Sequence, residues 1–170
     1  MASTASGIEY PTAGDPIAPL NGHLQTLAET TQEALDGRVP STVTSYTPTF
    51  TGLTLGNGTV SAKYCKVGGV IVDEIVITFG STTAVTGAVY ITGMQAASTA
   101  TGLISSTVNL HDNGNAYYAG AARQSSTTAV EVHAQTASGT YVSLASISAT
   151  VPHTWAVSDQ IIVKTVRLAA

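Results

Sequence analysis

The sequence predicts a mainly β protein, an antiparallel β-sandwich or jelly roll preceded by one short N-terminal α-helix. From residue 45 onward, short runs rich in Val, Ile, Thr and Tyr are broken by turn signals about every eight to twelve residues, the spacing of sandwiches and barrels. Ahead of them, Ile17, Leu20, Leu24, Leu27, Thr31 and Ala34 recur in alternating steps of three and four. That averages about 3.5 residues, the seam of a coiled coil. Charged residues make up only 9% of the 170-residue chain, against roughly 25% in ordinary soluble domains. The polar surface must therefore be built mainly from Thr, Ser, Asn and Gln.

Residues 1–14 are small, polar and punctuated by Pro and Gly, and read as an extended arm that orders against a partner. A helix is expected over 15–36. Asp15 is placed to cap it, and Pro16 at the first helical position loses only an N–H that would be unpaired anyway. Ala28 and Leu35 widen its apolar stripe, which suits three strands, or docking on another protein, better than two strands. An amphipathic helix packed on its own β domain is the plainer alternative. Such a stretch reads as too short to hold helical structure alone in water, so its stability must come from copies of itself or a larger surface. Gly37 stops it and Pro40 bars continuation. Residues 37–44 then form a linker to a head domain at 45–170.

Within the head, nine strands are expected, at 46–51, 59–67, 70–79, 88–91, 103–110, 116–121, 130–134, 141–147 and 160–168. Asn57-Gly58, Gly68-Gly69, Asn113-Gly114 and Ser138-Gly139 read as hairpin turns. The clean alternation of Val130-Glu131-Val132-His133-Ala134 predicts a half-buried strand with Glu131 and His133 facing out.

Several functional classes lose support. Net charge is −4, and Lys63, Lys66, Arg123, Lys164 and Arg167 are scattered, which argues against a nucleic-acid partner. The first residues have neither a basic nor an apolar block, so no secretory signal is expected, and no apolar run approaches membrane-spanning length. Cys65 is the single cysteine, consistent with synthesis in a reducing cytoplasm and no intrachain disulfide. No Gly-x-Ser-x-Gly elbow occurs. His23, His111, His133 and His153 follow no metal-ligand spacing, and Asp73-Glu74 in a strand would point to opposite faces. No catalytic residue, metal or cofactor is therefore expected. His111-Asp112-Asn113-Gly114-Asn115 offers oxygen ligands but matches no complete calcium loop, and reads as a polar hairpin tip. If any ion site existed, His111, Asp112 and His133 would be its members. Trp155, Tyr117, Tyr118 and Tyr141 could stack on sugar rings, although core packing is the simpler account of Trp155.

Three stretches carry a resemblance. They are Tyr46-Thr-Pro-Thr-Phe-Thr-Gly-Leu-Thr-Leu-Gly-Asn-Gly-Thr-Val60, Phe79-Gly-Ser-Thr-Thr-Ala-Val-Thr-Gly-Ala-Val89 and Val151-Pro-His-Thr-Trp-Ala-Val-Ser-Asp159. With Tyr10-Pro-Thr-Ala-Gly-Asp15 running into Leu24-Gln-Thr-Leu-Ala-Glu29, they resemble a β-rich, jelly-roll-like domain of tail, fibre and minor structural proteins of tailed bacteriophages. His153 departs from it, standing before Thr154-Trp155 where an aromatic residue is expected. The resemblance implies a virion structural protein, a homotrimeric surface appendage anchored by its N-terminus to other virion proteins. It would be made in the host cytoplasm and displayed on the outside of the particle. It implies no catalytic residues. Capsid decoration or a head fibre is the neighbouring alternative, and a carbohydrate-binding module for host-surface glycans is a third.

Overall fold

Alternation decides which residues turn inward. In the run Ile71-Val72-Asp73-Glu74-Ile75-Val76-Ile77, positions 71, 73, 75 and 77 are buried and those between are more open, as a pleated strand with one face on a core requires. The computed structural model describes residues 2–3, 9–10, 18–36, 43–97, 102, 104–138 and 140–170. It divides the chain into two compact units, 1–40 and 41–170.

The N-terminal unit holds β1 (Ala2–Ser3), β2 (Glu9–Tyr10) and α1 (Ala18–Asp36). β1 and β2 pair antiparallel, with Ala2 opposite Tyr10. The expected arm therefore carries a short ladder of its own. Asp15, Pro16, Ile17, Gly37 and Pro40 lie outside the described residues, so the expected cap and stop signals are not placed. Within α1, Thr26 and Thr30 turn their hydroxyls back onto the carbonyls of Gly22 and Thr26, at 2.8 Å each. Gln25 donates to Glu29 one turn on, at 2.9 Å.

The second unit is one antiparallel, strongly curled ten-stranded sheet. Its strands are β3 (Thr44–Ser45), β4 (Thr49–Thr54), β5 (Thr59–Val67), β6 (Val70–Thr78), β7 (Ala84–Thr92), β8 (Ile104–Asp112), β9 (Ala116–Ser126), β10 (Ala129–Ser138), β11 (Tyr141–Ser146) and β12 (Gln160–Leu168). They lie in the order β3-β5-β6-β12-β8-β9-β10-β7-β4, with β11 also on β10. The strand class holds, but two separate facing sheets are not what forms. A single ladder curls round one core into a half-barrel. Alternation cannot tell these apart, because a strand shows the same one-sided pattern in a sandwich and in a curled sheet. Irregular registers at Thr51/Leu53, Ile104/Thr107 and Ala129/Val130 mark where the sheet bends. Gly52 sits in the first of these at φ +75°, where a Cβ would run into the Ala88 carbonyl.

Asn57-Gly58 is a turn but not a hairpin. β4 pairs with β7 and β5 with β3 and β6, so the strands it joins run to opposite ends of the ladder. Residues 44–54 thereby supply both terminal strands of the ladder, β3 at one end and β4 at the other. Tyr46 N–H reaches Ala62 O at 3.0 Å along this path. Asn57 finds different work. Its Oδ1 accepts from Thr82 N and Thr82 Oγ1, both at 2.9 Å, and its Nδ2 donates to Ser81 Oγ at 3.0 Å. The β4–β5 turn and the β6–β7 loop are thus locked together.

The Gly68-Gly69 and Asn113-Gly114 signals do form hairpins, joining β5 to β6 and β8 to β9. Gly139 lies outside the described residues, though β10 and β11 pair as a hairpin around it. β9 and β10 are much longer than expected, because Thr127-Thr128 turns the chain with no Gly, Pro, Asn or Asp to announce it. Thr128 N–H instead reaches the Ser126 hydroxyl at 3.2 Å. The core is aliphatic and complete, with Ile75, Ile77, Ile91, Leu110, Ile147 and Ile161 wholly shielded.

Candidate functional site

Three polar groupings stand out in the β unit. The first lies inside the curl, at the end of the sheet where β6 begins and β12 finishes. Asp73 and Arg167 both sit on the inward face of their strands, and Arg167 Nη2 donates to Asp73 Oδ2 at 2.8 Å with the side chains 1% and 0% exposed. Thr165 Oγ1 adds a bond to Oδ2 at 3.0 Å and Tyr46 OH one to Oδ1 at 3.3 Å. Burial, then the charge of Asp73 and its hydrogen bond, pushes the Tyr46 hydroxyl's pKa up, so it remains a donor. The pair is charge-balanced; Arg167 Nη1 also reaches the Thr127 carbonyl at 3.4 Å, while its buried Nε has no partner. Its signal was present in the sequence, since strand alternation puts Asp73 in phase with Ile71 and Ile75, and Arg167 in phase with Ile161 and Val163.

The second grouping corrects an expectation. Glu131 and His133 do not face solvent, being only 3% and 8% exposed. β10 has neighbours along both edges, and rows of side chains from β9, β7 and β11 cover these positions. Glu131 lies between Arg123 and Tyr90, while His133 lies between Ala121 and Ser146. Arg123 Nη2 donates to Glu131 Oε2 at 2.6 Å and Ser146 Oγ to Oε1 at 2.9 Å. His133 Nε2 approaches Oε2 at 3.3 Å without hydrogen-bond alignment. Burial pushes the Glu131 carboxyl up. The bonds from Arg123 and Ser146 and the neighbouring positive charges outweigh it and hold the group below the usual carboxylate range. Serine, histidine and glutamate meet here, yet Ser146 gives its proton to the carboxylate and not to the imidazole. A nucleophile needs the reverse order.

The third grouping is at the opposite end of β6 and β12. Asp112 closes β8, while His153 and Asp159 belong to the segment leading into β12. One ligand atom from each lies within 4.8 Å of the others. Asp159, 1% exposed, accepts from Asn113 N at 2.9 Å and Ala156 N at 2.6 Å, and its Oδ2 lies 3.2 Å from His153 Nε2. Asn115 Nδ2 holds Asp112 Oδ2 at 2.8 Å. Around them is an aromatic stack. His153 lies against Tyr118 at 5.2 Å and against Trp155 at 4.4 Å, and Trp155 stacks on Phe79 at 4.7 Å. His153 thus packs as a flat ring between Tyr118 and Trp155.

The residues singled out from the sequence are distributed as follows. Trp155 and Tyr118 are partly buried against the core, and Trp155 Nε1 donates to Ser148 O at 2.8 Å. Tyr117 and Tyr141 are 74% and 81% exposed, and Tyr117 stacks flat on His111 at 4.2 Å. His111, Asp112 and His133 are not one cluster, since His133 belongs with Glu131 and Asp112 with His153 and Asp159. On α1, Leu24 is half-buried, Leu27 is 61% exposed, and Thr31 and Ala34 are open. Leu20 lies within α1 with its side chain outside the described ones, and Ile17 is outside the described residues altogether. Asp159 was missed because nothing in Val157-Ser158-Asp159 distinguishes a capping aspartate from a surface one.

Comparison of the chain with protein-family models, with curated proteins and with solved structures finds no match.

Proposed function

We propose that this chain is a structural protein of a tailed-bacteriophage particle, a trimeric surface appendage of the minor-tail or fibre kind. Its N-terminal unit would attach it and its β unit would project outward. The observation that carries the reading is the unequal treatment of apolar side chains. In α1, Leu27 and Leu35 are 61% and 48% exposed, whereas the β unit has a complete interior. An exposed leucine on the seam with another on its flank is the kind of apolar surface a helix keeps for copies of itself or for a neighbouring protein.

Two further features support it. The resembling stretches supply framework contacts: Asn57 locks to Ser81 and Thr82, and Phe79 stacks on Trp155. On the outward face of β5, β6 and β12, Val67, Val72, Val166 and Leu168 are 36% to 62% exposed, and the pairings place them side by side. Subunits grouped about an axis would cover that face. A non-enzymatic role is part of the proposal, and the direction of the Ser146 hydrogen bond favours it.

The test is imaging of particles carrying a labelled copy of the chain. Label at regular sites on the tail is the expected result; label on the capsid would select the decoration reading, and unlabelled particles would refute a virion role. A glycan-binding reading rests on the open rings of Tyr117 and Tyr141. It predicts saturable binding on a glycan array that is lost when both become alanine.

A further inference from the structure

Two carboxylates and an imidazole brought together with no lysine or arginine raise a charge question. Among the described residues, Arg167 neutralises Asp73 and Arg123 neutralises Glu131. Asp112 and Asp159 have no such partner there; only His153 faces them. Its side chain is 6% exposed and its Nδ1 has no hydrogen-bond partner. In the metal-free state the Asp159 carboxylate, which can only accept, takes the hydrogen bond from the Nε2 proton. With Nδ1 unpartnered, a shift of that proton to Nδ1 turns the Nε2 lone pair toward the carboxylates once a cation stands between them.

We infer that Asp112, His153 and Asp159 form a binding site for a divalent transition-metal cation, zinc by its ligand chemistry. Zinc bonds to nitrogen and oxygen run about 2.0–2.2 Å, so neighbouring ligands in a tetrahedral site stand roughly 3.3–3.6 Å apart. The His153–Asp159 separation of 3.2 Å is already close to such an edge. The whole set spans no more than 4.8 Å, and half-buried Asp112 at a hairpin end is the member able to close in. Each carboxylate keeps a lone pair beyond its present bonds. The N–H groups of Asn113 and Ala156 on Asp159, and the Asn115 amide on Asp112, orient them as outer-shell donors do in metal sites. Calcium would want six to eight oxygens and no imidazole. A bound ion would add a second tie between the β8–β9 tip and the segment entering β12, beside the Asn113–Asp159 bond.

The test uses the full-length chain, stripped of metal with chelator, and zinc chloride alone as the probe, followed by titration calorimetry and thermal melting. One equivalent of zinc should bind saturably and raise the melting temperature, with calcium chloride giving no comparable rise. Asp112→Asn and His153→Gln should each weaken zinc binding by at least about tenfold. His111→Ala should bind like the parent. Should His153→Gln fail to fold, Asp112→Asn, judged folded by its circular dichroism, decides alone. The inference is overturned if the parent shows no saturable binding up to about 1 mM zinc, if Asp112→Asn binds as tightly as the parent, or if His111→Ala abolishes binding.

Discussion

In the β unit Ile75, Ile77 and Ile161 are fully shielded, and even the charged side chains of Asp73 and Arg167 are closed on each other. In α1 Leu27 and Leu35 are 61% and 48% exposed, and polar side chains bond within the helix: Thr26 and Thr30 to carbonyls, Gln25 to Glu29. The first arrangement turns its apolar groups inward and covers them itself. The second leaves its apolar groups for something else to cover. On the proposed reading, the β unit holds shape and the N-terminal unit makes contact.

The comparison breaks most severely if the closed pair inside the β unit is opened. Arg167→Met leaves Asp73 buried without its counter-charge, and removing one partner of a buried pair costs about 3–5 kcal/mol. Urea unfolding should show that loss, and replacing Asp73 by Leu as well should recover much of it. The N-terminal unit answers to a different change. Leu24→Gln with Leu27→Gln should weaken self-association in sedimentation equilibrium, each leucine contributing about 1.5–3 kcal/mol if covered in the assembly. Melting of the β signal should stay within about 0.5 kcal/mol of the parent. Equal damage to both readouts would mean the two units are not specialised as described.

Smaller effects sharpen the picture of the β unit. Asn57→Ala removes three bonds that lock the β4–β5 turn to the β6–β7 loop, and should cost about 1–2 kcal/mol in thermal melting, since each exposed bond is worth little net. Glu131→Gln should cost about 1 kcal/mol at neutral pH. Because the folded carboxyl is held below its ordinary value, its contribution is present above the unfolded value of about 4.3 and fades as pH falls through the lower folded one. The difference between parent and variant should therefore shrink in acid. A difference that grows there would reverse the sign assigned to Glu131.

Much of the strand content was legible because burial on one face imposes alternation, and hairpins with glycine at the turn announced themselves. What stayed hidden was which strands meet. Asn57-Gly58 has hairpin chemistry, yet its strands part because β4 and β5 belong to opposite edges of a curled sheet. Glu131 and His133 alternate like surface residues, and only the strands flanking β10 bury them. The Asp73–Arg167 pair was readable from phase alone, since both fall on apolar faces. The gathering of Asp112, His153 and Asp159 was not, because it depends on a hairpin tip meeting a segment more than forty residues away.

The division of labour is tested most directly by making particles with the chain lacking residues 1–36 and measuring how much of it they contain, beside the full-length chain. The account predicts a soluble truncated protein with an unchanged β-type circular dichroism spectrum that is absent from purified particles. Truncated protein incorporated at the level of the full chain would contradict it.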